Sequence, residues 1–174
     1  MAADDAYLKV DFPWFIEKTA PVSESKGKID SDVQIEIARG TSNHCTVTIK
    51  VPATSLCPCS KLISEFGAHN QRCELTVSVR FAEGESVSLE ELFKIAEDSA
   101  SAQVYSVIKR DDEKRVTEEA YENPKFVEDT VRELADSLQR DPRIRWYRCS
   151  SENFESIHNH NAFAQIESDK GVQN

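Results

Sequence analysis

The stretch Cys73-Glu-Leu-Thr-Val-Ser-Val-Arg-Phe81 alternates apolar and polar side chains without interruption. Successive side chains of a β-strand point to opposite faces of the sheet, so this period of two predicts a strand with one buried and one exposed face. Two earlier stretches, Val33-Gln-Ile-Glu-Ile37 and Cys45-Thr-Val-Thr-Ile-Lys-Val51, repeat the pattern, and the polar segment Arg39–His44 between them is typical of a hairpin connection. Such alternation is typical of an antiparallel sheet that is covered on one side only.

Two helices are predicted after these strands. Ser88 and Glu91 match a capping box, in which the two side chains satisfy free backbone N–H groups at a helix start. The apolar residues that follow at helical spacing are Leu89, Leu92, Phe93, Ala96, Ala100 and Val104. In the second helix, Asn123 is the predicted N-cap, Pro124 the first residue and Asp141-Pro142 the end. Its apolar stripe consists of Val127, Val131, Leu134 and Leu138.

Two closing strands are predicted over 143–149 and 161–167. The order of strands, two helices and strands predicts an α+β domain with an antiparallel sheet and both helices packed on one face. The expected organisation is a single domain over 1–174. It has an N-terminal strand and loop over 6–32, with the loop at 20–32, and a core over 33–169. The ends are expected to be frayed, at 1–5 and at 168–174, which includes the tail at 170–174.

Acidic residues outnumber basic ones, with 31 Asp and Glu against 21 Lys and Arg and a formal net charge of −10 over 174 residues. This charge argues against long-range attraction to nucleic acid or to an anionic membrane. No apolar run approaches the roughly 18 residues of a membrane span, and the acidic N-terminus lacks the pattern of a secretory signal. We therefore expect a cytoplasmic protein with neither a nucleic-acid nor a membrane partner.

Five cysteines are present, and Cys45, Cys73 and Cys149 are predicted to be ordinary buried thiols. Cys57 and Cys59 differ, because they lie in a polar connection between two strands that continues to His69. A thiolate and an imidazole twelve positions apart can bind one metal ion such as zinc. The alternative, two turn cysteines and a hydrogen-bonded histidine, has equal weight on composition alone.

Three further features carry side chains that can take part in catalysis or ligand binding. His158 and His160 point to the same side if the backbone is extended, where they can exchange protons or bind a metal, although an exposed polar loop is an equally good reading. The mixed charge run 109–115 reads as a solvated loop that offers a carboxylate ligand and cations for phosphate. Glu128 lies beside the apolar stripe of the second helix, where most glutamates are plain surface residues.

Long, ordered motifs in this chain resemble the type IB GTP cyclohydrolase I family from about residue 7 to residue 169. They are Phe12-Pro-Trp-Phe-Ile-Glu-Lys-Thr-Ala-Pro-Val-Ser23, Cys57-Pro-Cys-Ser-Lys61, Gly67-Ala-His-Asn-Gln-Arg72, Glu113-Lys114, Tyr121-Glu-Asn-Pro124, Phe126-Val-Glu-Asp129, Asp141-Pro-Arg-Ile-Arg-Trp146 and Ser151–His160. The resemblance implies the tunnelling fold, in which antiparallel sheets and helix pairs form barrels across subunits. It also implies conversion of GTP to 7,8-dihydroneopterin triphosphate and formate, the first step of folate and pterin biosynthesis.

The resemblance also implies roles for individual residues. Cys57, His69 and Glu113 are the expected ligands of a divalent metal, which is zinc, manganese or ferrous iron, with Cys59 as an alternative to Cys57. The metal would activate a water for attack on C8 of guanine, and Cys57, as one of its ligands, is therefore also an expected catalytic residue. His158 and His160 are the other two, and they are expected to transfer protons. Glu128 is expected to bind the guanine edge. The candidates for the triphosphate are Lys61, Arg72, Lys109, Arg110 and Lys114.

The resemblance further implies a homo-oligomer with active sites at subunit interfaces. Family members usually carry an additional N-terminal half, which this chain is expected to lack. Three other readings remain: an archaeal-type cyclohydrolase that makes a cyclic-phosphate pterin, a nitrile reductase with a cysteine nucleophile, and a non-catalytic purine-binding or assembly subunit. His69 and the pair His158 and His160 argue against the nitrile reductase.

Overall fold

The computed structural model describes residues 4–171 and has an α+β architecture. The strands are β1 (Ala6–Thr19), β2 (Lys26–Arg39), β3 (His44–Leu56), β4 (Asn70–Phe81), β5 (Ala102–Gln103), β6 (Ile144–Asn153) and β7 (Ala162–Asp169). The helices are α1 (Pro58–Ile63), α2 (Leu89–Asp98), α3 (Arg110–Glu122) and α4 (Val127–Arg140). Among the described residues, no helix is both long and apolar enough to cross a membrane.

All strand pairings are antiparallel, and the strands form one sheet in the order β1-β2-β3-β4-β6-β7. The short strand β5 pairs with the last part of β3, beyond the residues that pair with β2. The predicted antiparallel sheet, the hairpin at 39–44 and the two closing strands are therefore confirmed. The strand predicted over 143–149 continues to Asn153, which brings its end close to the start of β4.

The core lies between one face of the sheet and the helices α2 and α4. Ile49, Val77 and Cys149 are register partners on three adjacent strands, and each is at most 1% exposed. Leu92 and Leu134 pack into the same cluster from the two helices. The alternation in the sequence thus predicts the buried face correctly, because a period of two leaves no other arrangement for so many apolar side chains.

Helix α2 begins as predicted, with the reciprocal hydrogen bonds of the Ser88 and Glu91 capping box. Its predicted extension to Val104 is wrong, because the helix ends at Asp98. The following backbone is extended, since Ser101 donates its N–H to the Thr54 carbonyl and the next two residues form β5. Helical spacing of apolar residues therefore persists beyond the helix because the residues there face the same core.

The predicted start of α4 at Asn123 and Pro124 is also wrong, because α4 begins at Val127 with Phe126 as its N-cap. Asn123 instead ends α3, where its N–H donates to the Glu119 carbonyl. Its side-chain NH₂ donates to the carbonyls of Ala100 and Ser101 and so ties the end of α3 to the segment before β5.

Two polar segments are more ordered than the sequence predicts. The charge run 109–115 belongs to α3 and is not a loop, so the domain has four helices within residues 4–171 instead of two. The loop predicted over 20–32 is limited to the turn between Ala20 and Ser25, because β2 begins at Lys26 and pairs with β1 along its whole length. Polar composition alone misses both elements because each gains its order from pairing or packing.

The described part of the predicted frayed ends is also ordered. Strand β7 continues to Asp169, and the Lys170 ammonium donates to the carbonyls of Leu138 and Asp141 at 2.6 and 2.8 Å. At the other end, the Asp5 carboxylate accepts from the Thr41 N–H at 2.6 Å. The remainder of the prediction, residues 1–3 and 172–174, lies outside the described residues.

A buried ion pair joins the edge strand β1 to α2. The Lys18 ammonium lies 2.5 and 2.6 Å from the two carboxylate oxygens of Glu97 and 2.7 Å from Oε1 of Gln103. Both charged side chains are at least 90% buried. Burial raises the pKa of Glu97, and the neighbouring Lys18 opposes that rise. The pair therefore depends on both partners, because either charge alone is costly in this environment.

Replacing Lys18 with Met is expected to lower the free energy of unfolding by about 3–5 kcal/mol, because it leaves the Glu97 carboxylate buried without its cation. The double variant Lys18→Met/Glu97→Leu is expected to recover most of that loss. Urea unfolding measures both values. Lys26→Met is the matched control, because the Lys26–Glu17 pair is exposed to solvent and its loss is expected to change the stability little. Equal losses in Lys18→Met and Lys26→Met would contradict this account.

Candidate functional site

The ends of three strands meet at one edge of the sheet and carry the candidate site. Leu56 at the end of β3 pairs with Asn70 at the start of β4, and Cys73 pairs with Asn153 at the end of β6. One residue beyond the first pair, the Cys57 N–H donates to the His69 carbonyl at 3.2 Å. The antiparallel register therefore brings Cys57 and His69 together although they are twelve positions apart.

Helix α1 begins immediately after Cys57 and fills the connection between the two residues. The Ser60 hydroxyl donates to the Cys57 carbonyl at 3.1 Å and accepts from the His69 N–H at 3.1 Å. This hydroxyl therefore links the two ends of the connection between β3 and β4. Cys57 is half-buried at this point, whereas Cys59 is exposed on the helix. Of the two cysteines, the structure therefore favours Cys57 as the partner of His69.

The other cysteines have a different character. Cys73 and Cys149 are buried in the core, and burial raises the pKa of each thiol to about 12. A thiol with such a pKa is a poor nucleophile and a poor metal ligand at neutral pH. The prediction of ordinary buried thiols is confirmed for these two, while Cys45 is only half-buried.

The His69 side chain is held by polar neighbours from β4 and from the loop after β6. Its Nδ1 lies 2.9 Å from Oε1 of Gln71 and 3.5 Å from the Ser156 hydroxyl. Gln71 is 7% exposed, and its amide nitrogen lies 3.4 Å from the Glu155 carboxylate. Because Nδ1 makes these contacts, Nε2 is the nitrogen left to bind a ligand.

The loop that follows β6 carries the predicted histidine pair. It is attached to the site where the Phe154 N–H donates to the Arg72 carbonyl at 3.0 Å. His158 and His160 are exposed, and their rings stack with centroids 5.3 Å apart. The two imidazoles thus lie on one side as predicted, although the loop is not an extended strand.

Glu128 comes to the same edge through the start of α4. The Lys125 N–H donates to the Leu56 carbonyl at 3.1 Å, directly before Cys57. Glu128 follows three residues later, exposed in the first turn of α4. The backbone thus brings the start of α4 next to the segment that carries Cys57, with the Glu128 carboxylate exposed to solvent.

Glu113 is exposed near the start of α3, on the helix face that continues from the packed residues Val116 and Ala120. This face contacts Leu56 and Ala68, the residues before Cys57 and His69. Within residues 4–171, however, no three His, Cys, Asp or Glu side chains form a group that could hold a metal. Cys57 and His69 are joined by a backbone hydrogen bond, while Glu113 lies on a separate element, α3.

The start of α3 is fixed by the fully buried Asp112. Its carboxylate accepts from the N–H groups of Val22 and Ser23 at 2.8 Å each, from the Ser23 hydroxyl at 2.6 Å and from the Lys109 N–H at 2.8 Å. Burial alone would raise the pKa of Asp112, but these hydrogen bonds outweigh it and hold the pKa well below its usual range. The anchor joins the turn after β1 to the helix that carries Glu113.

The five cations predicted for a triphosphate do not form one cluster. The Lys61 ammonium donates to the Tyr121 carbonyl and lies 4.2 Å from the centre of the Tyr121 aromatic ring. Arg72 is exposed on β4, beside the histidine loop. Lys109, Arg110 and Lys114 are exposed at the start of α3 near Glu113.

Gln71, Glu155 and Lys125 contact the site although the sequence analysis assigns them no role. For Gln71 a signal exists, because it is in phase with Cys73 and Leu75 and is therefore a polar side chain at an inward-facing position. Glu155 and Lys125 lie in irregular segments, where neither the strand period of two nor the helical period of 3.6 applies.

Comparison with known proteins gives one consistent result. A family model described as type I GTP cyclohydrolase folE2 matches residues 1–164. GTP cyclohydrolase FolE2 of Magnetococcus marinus is 53% identical over 166 residues, which are 95% of this chain and 62% of that protein. The protein of the same name from Dichelobacter nodosus is 51% identical over 97% of this chain and 64% of its own length. The protein of that name from Geotalea uraniireducens is 49% identical over 100% of this chain and 65% of its own length. The chain thus spans just under two thirds of these curated relatives.

Proposed function

The chain belongs to the type I GTP cyclohydrolase FolE2 family, and we propose that it converts GTP to 7,8-dihydroneopterin triphosphate and formate, the first step of folate and pterin biosynthesis. The observation that carries this proposal is the hydrogen-bonded pairing of Cys57 with His69 at the edge where Glu128 also lies. The thiol and the imidazole are the groups that would bind a metal ion, and the carboxylate is the group that would recognise the guanine base.

Cys57, His69 and Glu113 are the proposed ligands of a divalent metal. The first two fit this role because their backbones are joined and the contacts of His69 Nδ1 leave Nε2 free. Glu113 is supported by the face of α3 on which it lies. A thiolate, imidazole and carboxylate set suits zinc, manganese or ferrous iron. When bound, such a metal supplies a Lewis acid that activates water toward C8 of the guanine ring.

Glu128 is the proposed anchor of the guanine ring. Its carboxylate can accept from N1–H and from the 2-amino group together, and a charge-assisted pair of this kind orients the base as well as binding it. The exposed position in the first turn of α4 supports this role. The hydrogen bond from the Lys125 N–H to the Leu56 carbonyl supports it as well, because it brings the chain just before α4 next to Cys57.

His158 and His160 are the proposed proton-transfer groups. Their stacked rings lie in the loop whose Ser156 approaches His69. Two adjacent imidazoles can donate and accept protons near neutral pH during ring opening, loss of formate and rearrangement of the ribose. Lys61, Arg72, Lys109, Arg110 and Lys114 remain candidates for the triphosphate, with Arg72 nearest in sequence to the His69 motif.

The finer family and assembly assignments, type IB, the tunnelling fold and a barrel completed by oligomerisation, are proposals as well. The antiparallel sheet with helices on one face supports the fold. Leu62, Ile63 and Phe66 support an assembly of identical chains near the site, since these apolar side chains beside Cys57 are 86%, 83% and 96% exposed. The cytoplasmic location stays a prediction.

A second candidate is a purine-binding or assembly subunit without catalysis of its own. It is favoured by the separation of Glu113 from the other two proposed ligands, since no three candidate ligand side chains come together within residues 4–171. A cyclohydrolase with a cyclic-phosphate product is the third, since the same residues would serve it.

The purified protein is expected to release formate from GTP when supplied with zinc, manganese or ferrous iron. Formate release, the fluorescence of the oxidised pterin and the phosphorus NMR spectrum of the product measure this outcome. A linear triphosphate identifies the proposed reaction, and a cyclic phosphate identifies the archaeal type. Binding of GTP without formate in all three metals would contradict the proposal and favour the non-catalytic subunit.

Replacing Cys57 or His69 with Ala is expected to abolish retention of zinc, because each removes one of the two adjacent ligands. Metal content after gel filtration, measured by mass spectrometry, checks this result. Cys59→Ala is the matched control and is expected to retain the metal, since that thiol is exposed on α1 and the Cys59 backbone does not pair with His69. Equal loss in Cys57→Ala and Cys59→Ala would contradict the choice of Cys57.

Replacing Glu128 with Ala is expected to weaken GTP binding by roughly 2–5 kcal/mol, because a charge-assisted bidentate contact is lost. Calorimetry with GTP in the presence of zinc measures the change. Asp136→Ala is the control, since Asp136 is an exposed carboxylate two turns further along α4. Unchanged affinity in Glu128→Ala would remove the guanine-anchor role.

A further inference from the structure

Gln71 is a buried side chain that lies between His69 and Glu155. Its Oε1 is 2.9 Å from Nδ1 of His69, and its Nε2 is 3.4 Å from the Glu155 carboxylate. Only 7% of the residue is exposed, although glutamine usually lies at the surface. A buried amide is retained where both of its ends have a hydrogen-bond partner.

The three groups have only one consistent arrangement of hydrogen bonds. A carboxylate can only accept, so Glu155 requires the amide NH₂ of Gln71 as its partner. The amide oxygen then faces His69, and because it too can only accept, Nδ1 of a neutral His69 must carry the proton. The lone pair of that imidazole is consequently on Nε2. The Ser156 hydroxyl at 3.5 Å can accept weakly from the same Nδ1–H without changing this result.

We propose that Gln71, oriented by Glu155, is a positioning residue that holds His69 in the tautomer with the proton on Nδ1. The role rests on the proposed function, because it keeps the Nε2 lone pair available for the divalent metal. A metal-binding histidine commonly donates its other ring N–H to an oxygen, and loss of that partner weakens metal binding. Here the oxygen belongs to an amide whose own orientation is set by a third residue.

A buried polar network one strand away gives a comparison for the purely structural role. Ser151 donates to the Asn153 side-chain oxygen at 3.0 Å, and Asn153 donates to the Ser55 hydroxyl at 2.9 Å. These side chains are as buried as Gln71, but none of them contacts His69 in the hydrogen bonds of residues 4–171. A change in this network alters packing at the same edge without altering the partner of the imidazole.

The tautomer is measured in the metal-free protein by two-bond proton–nitrogen correlation of the imidazole rings, with the pH raised until the His69 signals no longer change. The chain has four histidines, and His69→Gln identifies the signal of His69. We expect the Nδ1–H form in the unaltered protein and in Ser151→Ala. Glu155→Gln, which lets the Gln71 amide take either orientation, is expected to show both tautomers.

Zinc affinity, measured by competition with a chelator, tests the consequence for the metal. Gln71→Leu is expected to weaken zinc binding roughly 10–100-fold, as loss of a histidine's hydrogen-bond partner typically does. The exchange variant Gln71→Glu/Glu155→Gln keeps an acceptor for Nδ1 and a donor for that acceptor, so it is expected to restore affinity to within a few-fold of the original.

The outcomes separate the proposal from the proposed function. If the Nδ1–H form remains the sole tautomer of His69 in Gln71→Leu, or in Glu155→Gln where the former does not fold, the positioning role is overturned. Equal loss of zinc affinity in Gln71→Leu and in the exchange variant would overturn it as well, since only packing would then matter. If the unaltered protein binds no zinc, the metal proposal fails, while the tautomer measurement still decides the role of Gln71.

Discussion

The antiparallel register of β3, β4 and β6 is the constraint on which the rest of the site depends. It pairs Leu56 with Asn70 and so places the Cys57 N–H against the His69 carbonyl. The register next to the site is fixed by the core, because a shift by one residue would turn the buried apolar side chains to the polar face. The chemistry at the edge is therefore held in place by the packing of the core some distance away.

Elements outside this register are attached by buried polar groups. Asp112 ties the turn after β1 to the start of α3, and the Lys18–Glu97 pair ties β1 to α2. Apolar packing alone lets a helix slide or rotate, whereas a buried carboxylate with several donors accepts only one arrangement. The charged residues at the start of α3, Glu113 among them, owe their position to that anchor. The fold thus uses apolar burial for the sheet and polar anchors for the helix at its margin.

The sequence predicts the sheet well and the polar elements poorly, for a physical reason. Strand alternation leaves a clear pattern, and the capping box of α2 consists of two residues whose roles are local. Helix α3 has no such pattern, because it is polar on most of its surface and buries only Asp112 and Ala120. Asn123 misleads for a related reason: its preference for helix ends does not distinguish the end of α3 from the start of α4.

For the site, the sequence identifies the motifs but not their spatial relations. The proximity of Cys57 and His69 is a consequence of strand pairing, and that of Glu128 depends on one backbone hydrogen bond from Lys125 to Leu56. The most direct test of this account is X-ray absorption at the zinc edge of the zinc-loaded protein. The account predicts one sulfur ligand at about 2.3 Å together with nitrogen and oxygen ligands at about 2.0–2.2 Å. A shell of nitrogen and oxygen alone, or one with two or more sulfurs, would contradict it.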